Sequence, residues 1–233
     1  MSCDATEQPR VTLSVVVPLR DESENVGPLH QALTATLEGL PEDYEIILVD
    51  DGSADGTAEV LEEIAQDDPH VTVISLRTGF GQTAALSAGF DHAAGEVIVT
   101  IDGDLQNDPA DIPRLLAKID EGYDIVSGWR KQRADGIFTR ILPSGIANRL
   151  IAWIAGVPLH DFGCGLKAYR REVLDHLSLY GCQHRYIPAL ASSVGASVAE
   201  VEVAHHPRRH GKSKYGIARA PDVVLELVGL LFL

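Results

Sequence analysis

Apolar residues in this chain fall into short β-branched runs separated by longer stretches with helical periodicity. The run Leu13-Ser14-Val15-Val16-Val17 predicts a first strand, ended by Pro18. A helix is predicted over about residues 26–39, a second strand at 44–49, a helix near 56–66 and a third strand at 71–76. Residues 80–93 are rich in alanine, which suits a helix packed closely on a sheet. A fourth strand is predicted at 96–101, a helix from Pro109 through Glu121, and a fifth strand at 124–128. Beyond that the alternation loosens. The pattern predicts an amphipathic helix at 140–155, a strand at 164–170, a short helix from Arg171, a helical stretch at 184–195 and a half-exposed strand at 197–203. Such an alternation predicts a single α/β domain with a doubly wound, mostly parallel sheet. Residues 221–233 are strongly apolar but fewer than the ~18–20 needed to span a bilayer. They read as an interfacial or core helix, or as the stub of a longer membrane region.

Two of the predicted strands end in paired acids. One runs into Thr100-Ile101-Asp102-Gly103-Asp104-Leu105-Gln106, the other into Val49-Asp50-Asp51-Gly52-Ser53. The two-residue period of a strand sends Asp102 and Asp104 the same way, about 6–7 Å apart, with Gly103 between them leaving room for a ligand. Paired carboxylates hold hard cations, Mg²⁺ or Mn²⁺, which also take phosphate oxygens. In an open α/β sheet, ligands bind beyond the carboxyl ends of the strands. Two acidic ends there would gather four carboxylates, and an uncompensated cluster implies a cation or a donor-rich ligand. Helix capping could account for Asp50 or Asp51, but not for all four.

Composition narrows the partners. At 233 residues and 45% hydrophobic, the chain suits one well-buried domain, with no linker, repeat or low-complexity run. Residues 1–10 are polar, read as a disordered tail, and lack the apolar core of a signal peptide. Cys3, Cys164 and Cys182 are widely spaced and fit a reducing compartment. His205-His206 lacks metal-ligand spacing and reads as a solvated loop. The net charge of −15 argues against nucleic acid. Its distribution says more: residues 1–125 carry 26 acids against 5 Lys or Arg, whereas residues 126–233 carry 8 against 14. An acidic half can carry a metal while a basic half faces something anionic.

Five motifs occur in order: Val17-Pro18-Leu19-Arg20-Asp21-Glu22-Ser23-Glu24-Asn25, Val49 to Ser53, Asp102 to Gln106, Asp161-Phe162-Gly163-Cys164-Gly165, and Arg208-Arg209-His210-Gly211-Lys212-Ser213-Lys214-Tyr215. Together they resemble a family 2 glycosyltransferase of the GT-A fold, in the branch of dolichol-phosphate mannosyltransferases and bacterial polyprenyl-phosphate glycosyltransferases. The resemblance covers roughly residues 11–220, with 11–128 as the nucleotide-binding half and 129–220 as the acceptor half. It implies Asp104 as a direct ligand of Mg²⁺ or Mn²⁺, Asp102 at the ribose or the metal shell, and Gln106 completing the coordination. It places Asp51, with Asp50 beside it, at the base, and Pro18 and Glu22 in the first nucleotide-contacting loop. Arg20 and Asp21 stand where the family more often has Tyr and Asn, which leaves uridine and guanosine both open. Arg130, Arg140 and Ser144 would hold the acceptor phosphate. Arg208 and Lys214 would close over the donor diphosphate, in a loop (His205–Tyr215) expected to be poorly ordered without donor. The same basic segment also suits a membrane surface.

A sugar hydroxyl acceptor needs a general base, whereas a phosphate monoester arrives already ionised. The Glu-Asp pair of hydroxyl-using relatives is not found here. Asp161 could serve as a base, but the favoured reading has it organising Lys167 and the arginines. The expectation is therefore an inverting transfer of a hexose from a nucleotide-diphosphate sugar to polyprenyl phosphate at the cytoplasmic membrane face. Alternatives are a saccharide-hydroxyl transferase, which would use Asp161 as base, and a nucleotide-binding membrane module without turnover. A Rossmann oxidoreductase is disfavoured because no Gly-x-Gly-x-x-Gly follows the first strand.

Overall fold

The centre of the molecule is β1 (Leu13–Leu19), which lies between β2 (Tyr44–Asp50) and β4 (Val97–Thr100) and is parallel to both. Helices cover both faces of the sheet, which explains why these strands read as continuous apolar runs. The computed structural model describes residues 12–131, 157, 159–177, 179–181 and 183–208. The remaining elements are α1 (Ser23–Leu37), α2 (Thr57–Asp67), β3 (Val71–Ser75), α3 (Gln82–His92) and α4 (Ile112–Asp120, entered through a 3₁₀ turn at Pro109–Asp111). They continue with β5 (Ile125–Trp129), β6 (Lys167–Arg170), α5 (Arg171–Leu174), a 3₁₀ turn at Gln183–Arg185, α6 (Ile187–Ser193) and β7 (Val198–Glu202). The predicted helices at 140–155 and 221–233 lie outside the described residues. Among the described residues no helix is long and apolar enough to cross a membrane.

The seven strands are ordered β3-β2-β1-β4-β6-β5-β7, with β6 antiparallel to both neighbours and the other pairs parallel. On one face, Val15, Val17 and Leu48 pack under Leu29 and Leu33 of α1 and Leu115 and Ile119 of α4. On the other, Val16, Ile47 and Ile98 pack under Ala85 and Leu86 of α3, Leu174 of α5 and Ile187 of α6. The alanine-rich α3 does lie close to the sheet: a Cβ on Gly89 would overlap the Val16 side chain.

One boundary needs correcting. Pro18 lies inside β1, one residue before its end, rather than stopping it. The Val16 carbonyl accepts from Ile101 N on the β4 side (3.2 Å), whereas Leu19 O accepts from Asp51 N on the β2 side (2.8 Å). Backbone groups alternate sides along a parallel strand, so Pro18 faces the β4 side, where pairing has already ended at Thr100. Its missing N–H costs no ladder bond.

This topology gathers the motifs. The sheet order reverses at β1, since β2 and β4 lie on opposite sides of it, and that is where ligands bind in open α/β sheets. The carboxyl ends of β1, β2, β4, β5 and β7 all reach one edge. Because β6 is antiparallel, with Lys167 opposite Thr100, the Asp161–Gly165 segment arrives at that same edge.

Candidate functional site

The acids at the end of β2 are held by their own turn and by the loop before α3. Asp50 Oδ1 accepts from Ser53 N at 3.1 Å and also from the Ser53 hydroxyl. Asp51 Oδ1 accepts from Phe80 N at 2.7 Å, and its Oδ2 accepts from Gly81 N at 2.9 Å. Arg20 Nη1 lies 3.5 Å from the same Oδ2. Gln82, the next residue along, donates from Nε2 to Asp102 Oδ1 at 2.8 Å. Residues 80–82 therefore tie the two acidic strand ends together. The carboxylates do meet at one edge, but they are not uncompensated: the protein supplies donors to each.

The Asp102–Asp104 pair is also built differently from the strand pleat inferred above. β4 ends at Thr100, and a turn containing Leu105 at φ +58° carries the two acids. Gly103 does not make room for a ligand. It is buried, and a Cβ there would overlap the Leu19 side chain. The glycine that bears on the acids is Gly165, where a Cβ would fall onto the Asp102 carboxylate. Thr100 fixes that approach by donating its hydroxyl to Gly165 O at 2.8 Å. We expect Gly165→Ala to displace Asp102 and to lower kcat by about 10–100-fold, while overpacking costs about 1–3 kcal/mol of stability. Steady-state kinetics with a melting curve would check this, and a wild-type kcat would refute it.

Asp104 is the better placed of the two for a cation. Its Oδ2 accepts from Arg208 Nη2 at 2.5 Å, and Gln106 Oε1 lies 3.5 Å from the same nitrogen. Two oxygens thus converge on one cationic point. Burial, and next the Asp102 charge, push the Asp104 carboxyl above its ordinary value, against the opposing pull of Arg208. A group of three or more His, Cys, Asp or Glu side chains arranged for a metal does not occur among the described residues. Two carboxylates and an amide are nevertheless enough for Mg²⁺ or Mn²⁺ when phosphate oxygens fill the remaining positions. The donor set fits such an ion.

Glu22, at the start of α1, joins this group. Asn25 Nδ2 donates to its Oε2 at 2.6 Å, and Arg208 Nη1 lies 3.9 Å from its Oε1. Arg208 is delivered by the chain leaving β7, where His206 is exposed, as expected of a solvated loop, while the backbone is tied to its neighbours. Asn107 and His205 form a β-bridge, His206 N donates to Gln106 O at 2.8 Å, and Ala204 N donates to Asp111 Oδ2 at 2.7 Å. Lys214, and the rest of the predicted loop from residue 209, lie outside the described residues.

On the far side of β6, Arg130 leaves β5 and meets Asp161 through two bonds, Nε to Oδ2 at 2.7 Å and Nη2 to Oδ1 at 2.9 Å. The pair is nearly closed off, with side chains 11% and 5% exposed. Burial alone would lower the Arg130 pKa, but the Asp161 hydrogen bonds outweigh it and move it up. Asp161 Oδ1 accepts a further bond from Gly163 N at 3.1 Å. Asp161 thus organises Arg130. Lys167 also feels the Asp161 charge, and its ammonium donates to the Phe162 carbonyl at 3.3 Å and to the Cys164 carbonyl. Burial pushes the Lys167 ammonium down and the Cys164 thiol up. Arg140 and Ser144 lie outside the described residues.

The sequence profile of a family described as Glycosyl transferase family 2 matches residues 14–178. The chain belongs to that family. Among curated relatives of this chain, a dodecaprenyl-phosphate galacturonate synthase of Rhizobium johnstonii is 45% identical, over 94% of this chain and 66% of the relative. An undecaprenyl-phosphate 4-deoxy-4-formamido-L-arabinose transferase of Enterobacter sp. is 42% identical, over 94% of this chain and 67% of the relative. The chain thus spans about two thirds of the length of these relatives. The fold matches glucosyl-3-phosphoglycerate synthase from Mycobacterium tuberculosis, solved with Mn²⁺, UDP and phosphoglyceric acid. The TM-score is 0.73 at 21% identity, over 95% of this chain and 77% of that chain. The GT-A fold expected from the motifs is therefore the fold observed.

Proposed function

We propose that this chain is a metal-dependent inverting glycosyltransferase that moves a sugar from a nucleotide diphosphate to polyprenyl phosphate at the cytoplasmic membrane face. The observation that carries the acceptor assignment is the Arg130–Asp161 pair. Both Asp161 oxygens are engaged by one guanidinium, so Asp161 does not stand as a free base for a sugar hydroxyl. A phosphate acceptor needs no base, and an arginine fixed at the same sheet edge as Asp104 suits its charge. The two curated relatives carry polyprenyl phosphates in their names, with a galacturonate and an arabinose derivative as the sugars. The transferred group is accordingly proposed as a glycosyl group, whether hexose or pentose.

In this reading Asp104, Asp102 and Gln106 hold Mg²⁺ or Mn²⁺, which when bound offsets negative charge on the departing diphosphate. Pro18, Glu22, Asp50 and Asp51 shape the nucleotide side. The Asp51 carboxylate fixes the Phe80-Gly81 backbone and Arg20, presenting Arg20 to the base. Gln82 and Gly165 fix Asp102. Arg208 and Lys214 add positive charge for the diphosphate, and Arg130, Arg140 and Ser144 receive the acceptor phosphate. The basic segment through Arg219 and the apolar residues 221–233 suit a membrane surface.

A panel of sugar nucleotides, each with Mn²⁺ or Mg²⁺, tests this by thermal shift followed by transfer to polyprenyl phosphate in vesicles. The correct donor at about 100 times its Kd should stabilise the protein by about 2.7 kcal/mol, and only with metal. Transfer to a soluble saccharide with none to lipid phosphate would overturn the acceptor assignment. Stabilisation without transfer to either would favour a binding module.

A further inference from the structure

The contacts of Arg208 bear on how the site is loaded, an inference that rests on the metal-dependent reading above. One of its nitrogens lies 2.5 Å from Asp104 Oδ2 and 3.5 Å from Gln106 Oε1, two of the three groups assigned to the metal. Its other terminal nitrogen faces Glu22 Oε1 at 3.9 Å. The guanidinium is mostly covered, at 21% side-chain exposure, so it is no loosely solvated surface charge. Nor has it drifted there as a lone side chain. The backbone two residues earlier is fastened to the acidic turn: His206 N donates to Gln106 O at 2.8 Å, and His206 Nε2 lies 3.0 Å from Asp108 Oδ2.

The electrostatics supply the reason for such an arrangement. Two carboxylates in a partly buried turn repel each other and lose solvation, so the turn needs a positive charge whether or not an ion is bound. A guanidinium nitrogen at 2.5 Å from Asp104 and a divalent ion coordinated by Asp104 and Gln106 would claim the same oxygens. The two occupants exclude one another. We propose that Arg208 is the resident cation of this site, that a divalent ion enters by exchanging with it, and that the exchange releases the guanidinium toward the donor diphosphate. The ion arrives with the nucleotide diphosphate, whose charge receives the displaced arginine, so metal loading and donor clamping become one event. The structure also predicts the sign of the coupling. Without nucleotide, Arg208 competes with the metal; with nucleotide, it joins the metal in holding the diphosphate.

The test measures Mn²⁺ binding by calorimetry and by the EPR signal of free Mn²⁺, with the full chain, in the absence and presence of UDP and GDP. Without nucleotide, Arg208→Ala should bind Mn²⁺ about tenfold more tightly than wild type, since a charge-assisted contact no longer has to be broken. Arg208→Lys, which keeps a charge without the fork, should fall between them. With the nucleotide that the wild type binds, Arg208→Ala should lose that advantage and bind the Mn²⁺–nucleotide pair more weakly than wild type. Asp104→Asn separates this idea from the reading beneath it. If Asp104→Asn abolishes Mn²⁺ binding while Arg208→Ala leaves it unchanged or weakened without nucleotide, the exchange is refuted and the metal site stands. If neither wild type nor Arg208→Ala binds Mn²⁺ under any condition, the metal-dependent reading fails and takes the exchange with it. Should Arg208→Ala not give a cooperative melt, Arg208→Gln carries the same comparison.

Discussion

Asp104→Asn is expected to cut turnover by about 10²–10³-fold or more while leaving the fold intact, because it removes the carboxylate on which the cationic contacts converge. The stability side of this expectation has a definite sign. In the metal-free protein, burial and Asp102 raise the folded-state pKa of Asp104 above its ordinary value. Folding therefore favours the protonated form. That contribution is fully present below the unfolded value and is lost as pH rises through the folded one, so at neutral pH the ionised carboxylate is a standing cost. The asparagine variant keeps the shape and drops this charge, and Arg208 retains Glu22 and Gln106 as neighbours. Its melting temperature at neutral pH should equal or exceed that of wild type, with Mn²⁺ binding gone. Wild-type turnover with either metal would remove Asp104 from the site.

The parts of this fold that were legible in the sequence are those whose cause is local. β1, β2 and β4 are buried on both faces, and only β-branched runs survive there, so their positions could be read directly. The pairs Asp50-Asp51 and Asp102-Asp104 were legible because they follow such runs. What local pattern does not encode is direction and distance. Residues 164–170 read as a strand, but nothing in them says that it runs antiparallel to its neighbours, and that reversal is what brings Asp161 to the edge where β5 delivers Arg130. In the sequence Gln82 is one polar residue within the alanine-rich stretch 80–93. Its role appears only when Asp102, 20 residues away, comes within 2.8 Å. Gly103 likewise depends on a distant residue. Its lack of a side chain accommodates Leu19, 84 positions earlier, whereas the glycine that governs an acid is Gly165. The basic segment after β7 suggested a loop awaiting an anion. Its first residues bond backbone to backbone with the acidic turn, a pairing between segments about 100 residues apart.

Removing Arg130 should affect both stability and chemistry, and the two effects can be separated. Arg130→Ala leaves the Asp161 carboxylate buried without its guanidinium, and breaking a pair of this kind costs about 3–5 kcal/mol. The same change should raise the KM for lipid phosphate or lower kcat, with donor affinity nearly unchanged, since the donor contacts lie across β6 at the end of β4. A destabilised variant alone would be ambiguous, because loss of fold also lowers rate. Replacing both partners resolves this: Arg130→Met with Asp161→Leu removes the two charges together, and apolar replacements of a buried pair are often neutral. The double variant should therefore recover most of the melting temperature and none of the transfer to polyprenyl phosphate. Recovery of transfer along with stability would make the pair a structural strut and move the acceptor phosphate elsewhere. An equal loss of donor affinity in either variant would place Arg130 at the diphosphate instead. Loss of transfer with full donor binding, in a protein that melts as the wild type does, is the result that ties this buried arginine to the acceptor.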